Sequence, residues 1–173
     1  MISRRILLSF FFSIPLIGRT RAMDIEVLGC TIKTDRLYRI DEERMLFQWV
    51  KDEGSGIYSV GFMQLLSSLV YPLYAIRIKP AGTVVELDGN LAVVESGKRV
   101  STFPSPISGR IVEANKSLEK EPSLIVSRPY ESWIVRIRAE RLEELKRLKT
   151  ASDIVEPVKR IIVREKIECL PKK

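Results

Sequence analysis

Residues 92–109 read Ala92-Val93-Val94-Glu95-Ser96-Gly97-Lys98-Arg99-Val100-Ser101-Thr102-Phe103-Pro104-Ser105-Pro106-Ile107-Ser108-Gly109. A β-favouring run enters a polar turn at Ser96-Gly97-Lys98, a second short run leaves it, and a Pro/Ser/Gly corner closes the stretch. The pattern is a β-hairpin with a lysine at its tip. Turn lysines ordinarily serve solubility, so the hairpin alone assigns no role.

Outward from it, residues 74–78, 83–87, 91–95, 100–103 and 110–113 are short β-favouring runs. Their separators are Lys79-Pro80-Ala81-Gly82, Asp88-Gly89-Asn90, the lysine turn, and Pro104-Ser105-Pro106. Upstream, two further runs flank Asp52-Glu53-Gly54-Ser55-Gly56, and residues 63–69 have the length of a short helix. Many short strands at close spacing predict a mainly β barrel or sandwich. Gly82-Thr83-Val84-Val85-Glu86 and Gly109-Arg110-Ile111-Val112-Glu113 echo each other, and each is expected to supply one strand of a pseudo-symmetric pair of sheets. The predicted core draws on Val84, Leu91, Val93, Ile111, Val112, Ile134 and Ile137, with Trp133 anchoring its edge.

Downstream, residues 139–149 carry Leu142, Leu145 and Leu148 on one side of a predicted helix. Ser152 or Asp153 caps a second helix that tolerates Pro157 only in its first turns. The remaining tail is basic and amphipathic. Residues 1–22, 23–138 and 139–173 are therefore read as a leader, a β domain, and a C-terminal helix with a basic tail.

The chain has 173 residues, 45% hydrophobic and 29% charged, which suits one globular domain with extensions. It contains no histidine, removing the usual general base and every triad that depends on one. Two cysteines, Cys30 and Cys169, form no CxxC pattern, so a metal site has no support. Spacing leaves open whether they are buried thiols or a clip between the chain ends. The net charge is +7, but Arg4, Arg5, Arg19 and Arg21 supply four of those charges within the leader. The rest alternates in sign, so no nucleic-acid partner is expected.

The leader joins Arg4-Arg5 to an apolar run over residues 6–17 and then Gly18-Arg19-Thr20-Arg21-Ala22, the layout of an export signal. The run is too short to span a bilayer, and a membrane association is not expected. Met23 follows at once, so a start assigned too far upstream yields the same mature chain. The expected location is cytoplasmic, or exported if the segment is a genuine signal.

Val94-Glu95-Ser96-Gly97-Lys98-Arg99-Val100-Ser101, followed by Pro106-Ile107-Ser108-Gly109, resembles the lipoyl-attachment hairpin of the glycine cleavage system H protein family. Trp49-Val50, Gly56-Ile57-Tyr58-Ser59-Val60-Gly61, Pro122-Ser123-Leu124-Ile125 and Pro129-Tyr130-Glu131-Ser132-Trp133-Ile134 are similar to its other motifs, in order. The resemblance implies a flattened lipoyl-type β-barrel or sandwich hammerhead with short helices and a C-terminal helical extension. It implies lipoate bound covalently to Lys98, with Glu95, Ser96 and Gly97 as context read by the attaching enzyme, and Gly97 permitting the bend. The chain would then be a carrier without catalytic groups of its own.

Partners implied are a lipoate–protein ligase or lipoyl transferase, with glycine decarboxylase, aminomethyltransferase and dihydrolipoyl dehydrogenase. The cargo would be an aminomethyl group on a swinging arm. A related branch carries sulfur intermediates for a heterodisulfide-reductase-like complex, where Cys30 and Cys169 would be redox-active. Phe47-Gln48 and Arg77-Ile78-Lys79-Pro80 depart from the family's usual His-Glu and Glu-Leu-Pro-Glu. A biotinyl carrier is disfavoured because Gly97 and Arg99, rather than methionines, flank the lysine. A non-catalytic interaction module of the same fold is the remaining alternative.

Overall fold

The computed structural model describes residues 23–170; the leader, with its signal-or-start alternatives, lies outside the described residues. The fold is mainly β, as expected. A hairpin of β1 (Ile25–Val27) and β2 (Cys30–Ile32) precedes a meander of β3 (Leu37–Asp41), β4 (Leu46–Gly54) and β5 (Ile57–Phe62). After α1 (Gln64–Leu69) come β6 (Leu73–Ile78), β7 (Val84–Val85), β8 (Asn90–Ser96), β9 (Val100–Pro104) and β10 (Gly109–Ala114). Two short helices, α2 (Ser117–Lys120) and α3 (Leu124–Ser127), lead to β11 (Trp133–Ala139). The chain closes with 3-10 turns at Leu142–Arg147 and Ser152–Ile154 and with α4 (Val155–Glu165).

The strands form a six-stranded antiparallel sheet in the order β3-β4-β5-β11-β10-β7 and a three-stranded sheet β6-β8-β9. Phe62 of β5 and Phe103 of β9 meet with ring centroids 4.4 Å apart, joining the two sheets through one aromatic pair. Trp49, Tyr38 and Phe47 are also fully buried, and register puts them on the opposite face of the six-stranded sheet from Phe62. Gly61 stands opposite Trp49 across β4 and β5, and the indole fills the space a Cβ would take. That close approach lets Trp49 donate to the Pro129 carbonyl at 3.0 Å. Its face carries the Arg36 guanidinium, 4.7 Å from the ring centroid.

Leu91, Ile111, Ile134 and Ile137 are buried as predicted. Val84, Val93 and Val112 are not: Val84 is 48% exposed while Val85 is buried, and Val93 and Val112 are half-buried. The register shift between Asn90 and Ala92 explains Val93, because one extra residue reverses which face a side chain meets, whereas Val112 directly follows the inward-facing Ile111 and is itself the extra residue at the shift between Ile111 and Glu113. The two Gly-x-β-Val-Glu copies also differ from expectation. They lie side by side in one sheet, Val85 opposite Gly109 and Val84 opposite Arg110, rather than in separate sheets.

The helix predicted over residues 139–149 is replaced by the end of β11 and one 3-10 stretch. Leu142 is 58% exposed, whereas Glu144 turns inward. The tail is ordered by α4, whose Val158, Ile161 and Ile162 are buried, with Pro157 in its first turn where no intrahelical donor is lost. Of the two readings left open for the cysteines, the structure has the clip: Cys30 and Cys169 are disulfide-bonded, Cα atoms 5.2 Å apart. Both are buried.

Candidate functional site: the Lys98 turn

Gly97, Lys98 and Arg99 connect β8 to β9, and Ser96 builds the connection. Its backbone N–H donates to the Arg99 carbonyl at 3.0 Å, and its hydroxyl donates to the same oxygen at 3.0 Å. That hydroxyl oxygen accepts from the N–H groups of Lys98 at 3.4 Å and Arg99 at 3.3 Å. One side chain thus satisfies both ends of the turn, in the manner of a local serine turn. Ser96 is placed among the four predicted site residues, but as the turn's organiser.

Gly97 plays a different part from the one its type suggests. Its φ is not in the left-handed region. Its N–H donates to the Pro72 carbonyl at 2.9 Å, and a methyl in place of its hydrogen would stand 3.1 Å from Pro72 Cγ and 3.5 Å from the Tyr74 hydroxyl. The glycine is there for close approach: the loop leading into β6 props the turn from outside the hairpin.

Lys98 is exposed, and its ammonium makes no hydrogen bond or ion pair with the described residues. Glu95 is exposed at the end of β8, opposite Val100 on one side and Ala75 on the other. Lys98, Glu95, Ser96 and Gly97 are therefore together at one tip. Cys30 and Cys169 belong elsewhere, tying the C-terminal segment to β2. Beside the turn is an open, largely apolar hollow of about 400 Å³ walled by Tyr71, Pro72, Leu73, Tyr74, Val126 and Leu170.

The far end of the hairpin is clamped more heavily. Arg39 donates to the Ser105 carbonyl at 2.9 Å and pairs with Asp88. That hydrogen bond, with a second from Arg44, holds the Asp88 carboxyl below the usual carboxylate range. Gln48 donates to the Pro104 carbonyl at 2.7 Å. Glu144, 7% exposed, accepts from the Ser108 N–H at 2.6 Å and from its hydroxyl at 2.9 Å. Sequence reasoning missed Glu144, since it stands in a leucine-spaced run where a glutamate reads as solvated. The hairpin is thus fixed at its base, while at its tip the lysine side chain is unengaged.

No group of three or more His, Cys, Asp or Glu among the described residues is arranged to hold a metal. No helix among the described residues is long and apolar enough to cross a membrane.

The chain matches the family described as "Glycine cleavage H-protein" over residues 37–161. It is 55% identical over 136 residues to glycine cleavage system H protein 1 of Aquifex aeolicus, covering 79% of this chain and 95% of that protein. It is 37% identical over 142 residues to a probable glycine cleavage system H protein 2 of Sulfolobus acidocaldarius, covering 82% and 94%. The crystal structure of a glycine cleavage system H protein from Mycobacterium marinum superposes with a TM-score of 0.62 at 26% identity, over 73% of this chain and 98% of that one. With the β architecture and the braced lysine hairpin already in place, these matches show that the chain belongs to the glycine cleavage H-protein family.

Proposed function

We propose that the protein is a lipoyl carrier in which Lys98 bears the lipoyl group. The observation that carries this reading is the contrast at the hairpin: every backbone and serine contact rigidifies the turn, and none engages the lysine side chain. A rigid, exposed nucleophile suits an acylating enzyme. In that step the neutral Nζ attacks the carbonyl carbon of an adenylated lipoyl group. A C–N amide bond forms, the bond to the adenylate oxygen breaks with its electron pair, AMP leaves, and the amine sheds one proton to solvent.

The carried group is proposed to be aminomethyl, moved between glycine decarboxylase and aminomethyltransferase, with dihydrolipoyl dehydrogenase reoxidising the dithiol. Tethering raises the arm's effective concentration at each enzyme, which is the physical advantage of a carrier. Sulfur cargo, the alternative favoured by the departures at Phe47-Gln48 and Arg77-Ile78-Lys79-Pro80, would ride on the same lipoyl arm, and the disulfide between Cys30 and Cys169 removes only the two thiols that would have assisted it. The disulfide also bears on location: Cys30 is 0% and Cys169 6% exposed, which hinders thiol attack in a reducing cytoplasm, the compartment proposed.

Intact mass and peptide mapping of the protein from its native source test the reading. A single lipoyl amide on Lys98, absent in Lys98→Arg, is the expected result. An unmodified Lys98 in a lysate whose other lipoyl proteins are modified overturns it.

A further inference from the structure

Three of the eight large apolar side chains exposed on the described surface lie around the lysine turn. Tyr71 is 55%, Tyr74 63% and Val100 66% exposed. Tyr74 reaches Gly97 from outside the hairpin, Val100 is the first residue of β9, and Tyr71 and Tyr74 share the hollow below. On the outward face of the three-stranded sheet, register places Ala75, Glu95 and Val100 in one row and Arg77, Val93 and Thr102 in the next. Arg77 and Arg99 are exposed and form no ion pair within 4 Å, which among the described residues is also true of Arg110, Arg128, Arg138 and Arg147, so what sets the first two apart is their place beside the lysine turn and on this sheet face. Aromatic centres with free arginines at the rim have the composition of protein-recognition surfaces.

We propose that Tyr71, Tyr74 and Val100, rimmed by Arg77 and Arg99, form the docking surface for the enzyme that acylates Lys98, a lipoate–protein ligase with an acidic active-site mouth. The inference rests on the carrier reading and identifies where its modifying partner sits. Reach selects this occupant over the enzymes served later. An unmodified lysine extends only about 6 Å from its Cα, so an acylating enzyme must close onto the residues around the turn. Enzymes that use the finished arm meet its end well beyond the surface.

Charge selects the chemistry of the mouth. Lys98, Arg99 and Arg77 present three cations against the single carboxylate of Glu95 on this side before reaction. Amide formation removes the charge of Lys98, so attraction to an acidic mouth weakens once acylation is complete and the product is released.

The test is steady-state acylation of the full chain by purified lipoate–protein ligase with ATP and lipoate, at several salt concentrations. Tyr74→Ala and Arg99→Glu are each expected to raise KM about tenfold with kcat changed by less than about twofold. Rising salt is expected to raise KM for the wild type and to do so less for Arg99→Glu. Arg138→Glu, on β11 of the other sheet, serves as control and should leave both constants unchanged. Both test positions are exposed, and unchanged melting temperatures confirm folding. KM values equal to wild type, or losses confined to kcat, overturn the docking surface while leaving Lys98 as the carrier residue. A wild-type chain left unacylated beside a modified control lipoyl domain overturns the carrier reading itself, and this surface with it.

Discussion

Glu144 holds Ser108 by both of its carboxylate oxygens, accepting from the backbone N–H at 2.6 Å and the hydroxyl at 2.9 Å across 36 residues of sequence. Ser108 passes the contact on, because its hydroxyl oxygen accepts from the Leu87 N–H at 2.9 Å. The corner that ends the lysine hairpin is therefore pinned to the connection between β7 and β8 through the Ser108 hydroxyl and to the C-terminal 3-10 turn through one buried carboxylate. Glu144→Ala leaves a buried N–H and hydroxyl without their acceptor, costing about 2–3 kcal/mol and lowering the melting temperature by roughly 5–10 °C. Glu144→Gln keeps an acceptor for the N–H and should lose about half as much. Thermal unfolding followed by circular dichroism checks both; equal melting temperatures for wild type and Glu144→Ala would contradict the argument.

The disulfide between Cys30 and Cys169 spans 139 residues of sequence. Cross-linking so long a loop restricts the unfolded chain, which in the chain-entropy account is worth up to about 5 kcal/mol. Its native-state consequence is local: it holds the segment in which the Leu170 N–H donates to Ser68 at 2.8 Å, beside the apolar hollow. Urea unfolding with and without dithiothreitol should show a lower midpoint on reduction. A Cys30→Ala, Cys169→Ala double variant should match the reduced protein and ignore the reductant.

Ser96 is the organising residue of the lysine turn, with its hydroxyl bonded to backbone atoms of Lys98 and Arg99. Ser96→Ala removes those bonds from an exposed site, so the global cost stays near 1 kcal/mol while the turn loosens. Amide hydrogen exchange at Lys98 and Arg99 should accelerate, with strand amides such as Val94 unaffected. Exchange unchanged at the turn would mean that the backbone bond from Ser96 to Arg99 suffices alone.

The hairpin was legible because turn chemistry is local: Ser96, Gly97 and Lys98 announce a bend whatever lies around them. The parts that were not legible depend on distant partners. Val93 was expected inward together with Leu91, and a bulge that no residue type marks reversed it, while Val112 was expected inward beside Ile111, where strand alternation turns it to the other face. Residues 139–149 have a sound leucine spacing for a helix, yet the pull of Ser108 on Glu144 turns the chain into a 3-10 stretch with Leu142 outside. Gly97 was read as a bend residue, while its reason for being small is Pro72, 25 positions upstream.

Acid sensitivity follows from the carboxylates that hold the fold's edges. Asp88 is lowered below 3.8 chiefly by the hydrogen bond from Arg39, then by that from Arg44. Asp41 is lowered below 3.8 by the Arg44 backbone N–H and side chain, and Glu119 below 4.5 by the Ile78 N–H and then Lys116. For a group whose folded value is depressed, the stabilisation is complete above the unfolded value and is lost as pH falls through the folded one. These groups therefore stabilise fully above about pH 5 and progressively less below about pH 4. Asp88→Asn removes one contribution and isolates its sign. The difference in unfolding free energy between wild type and Asp88→Asn should be greatest near pH 6 and shrink as pH falls below about 4. A difference that stays constant over that range would show that Arg39 grips the Asp88 side chain without regard to its charge.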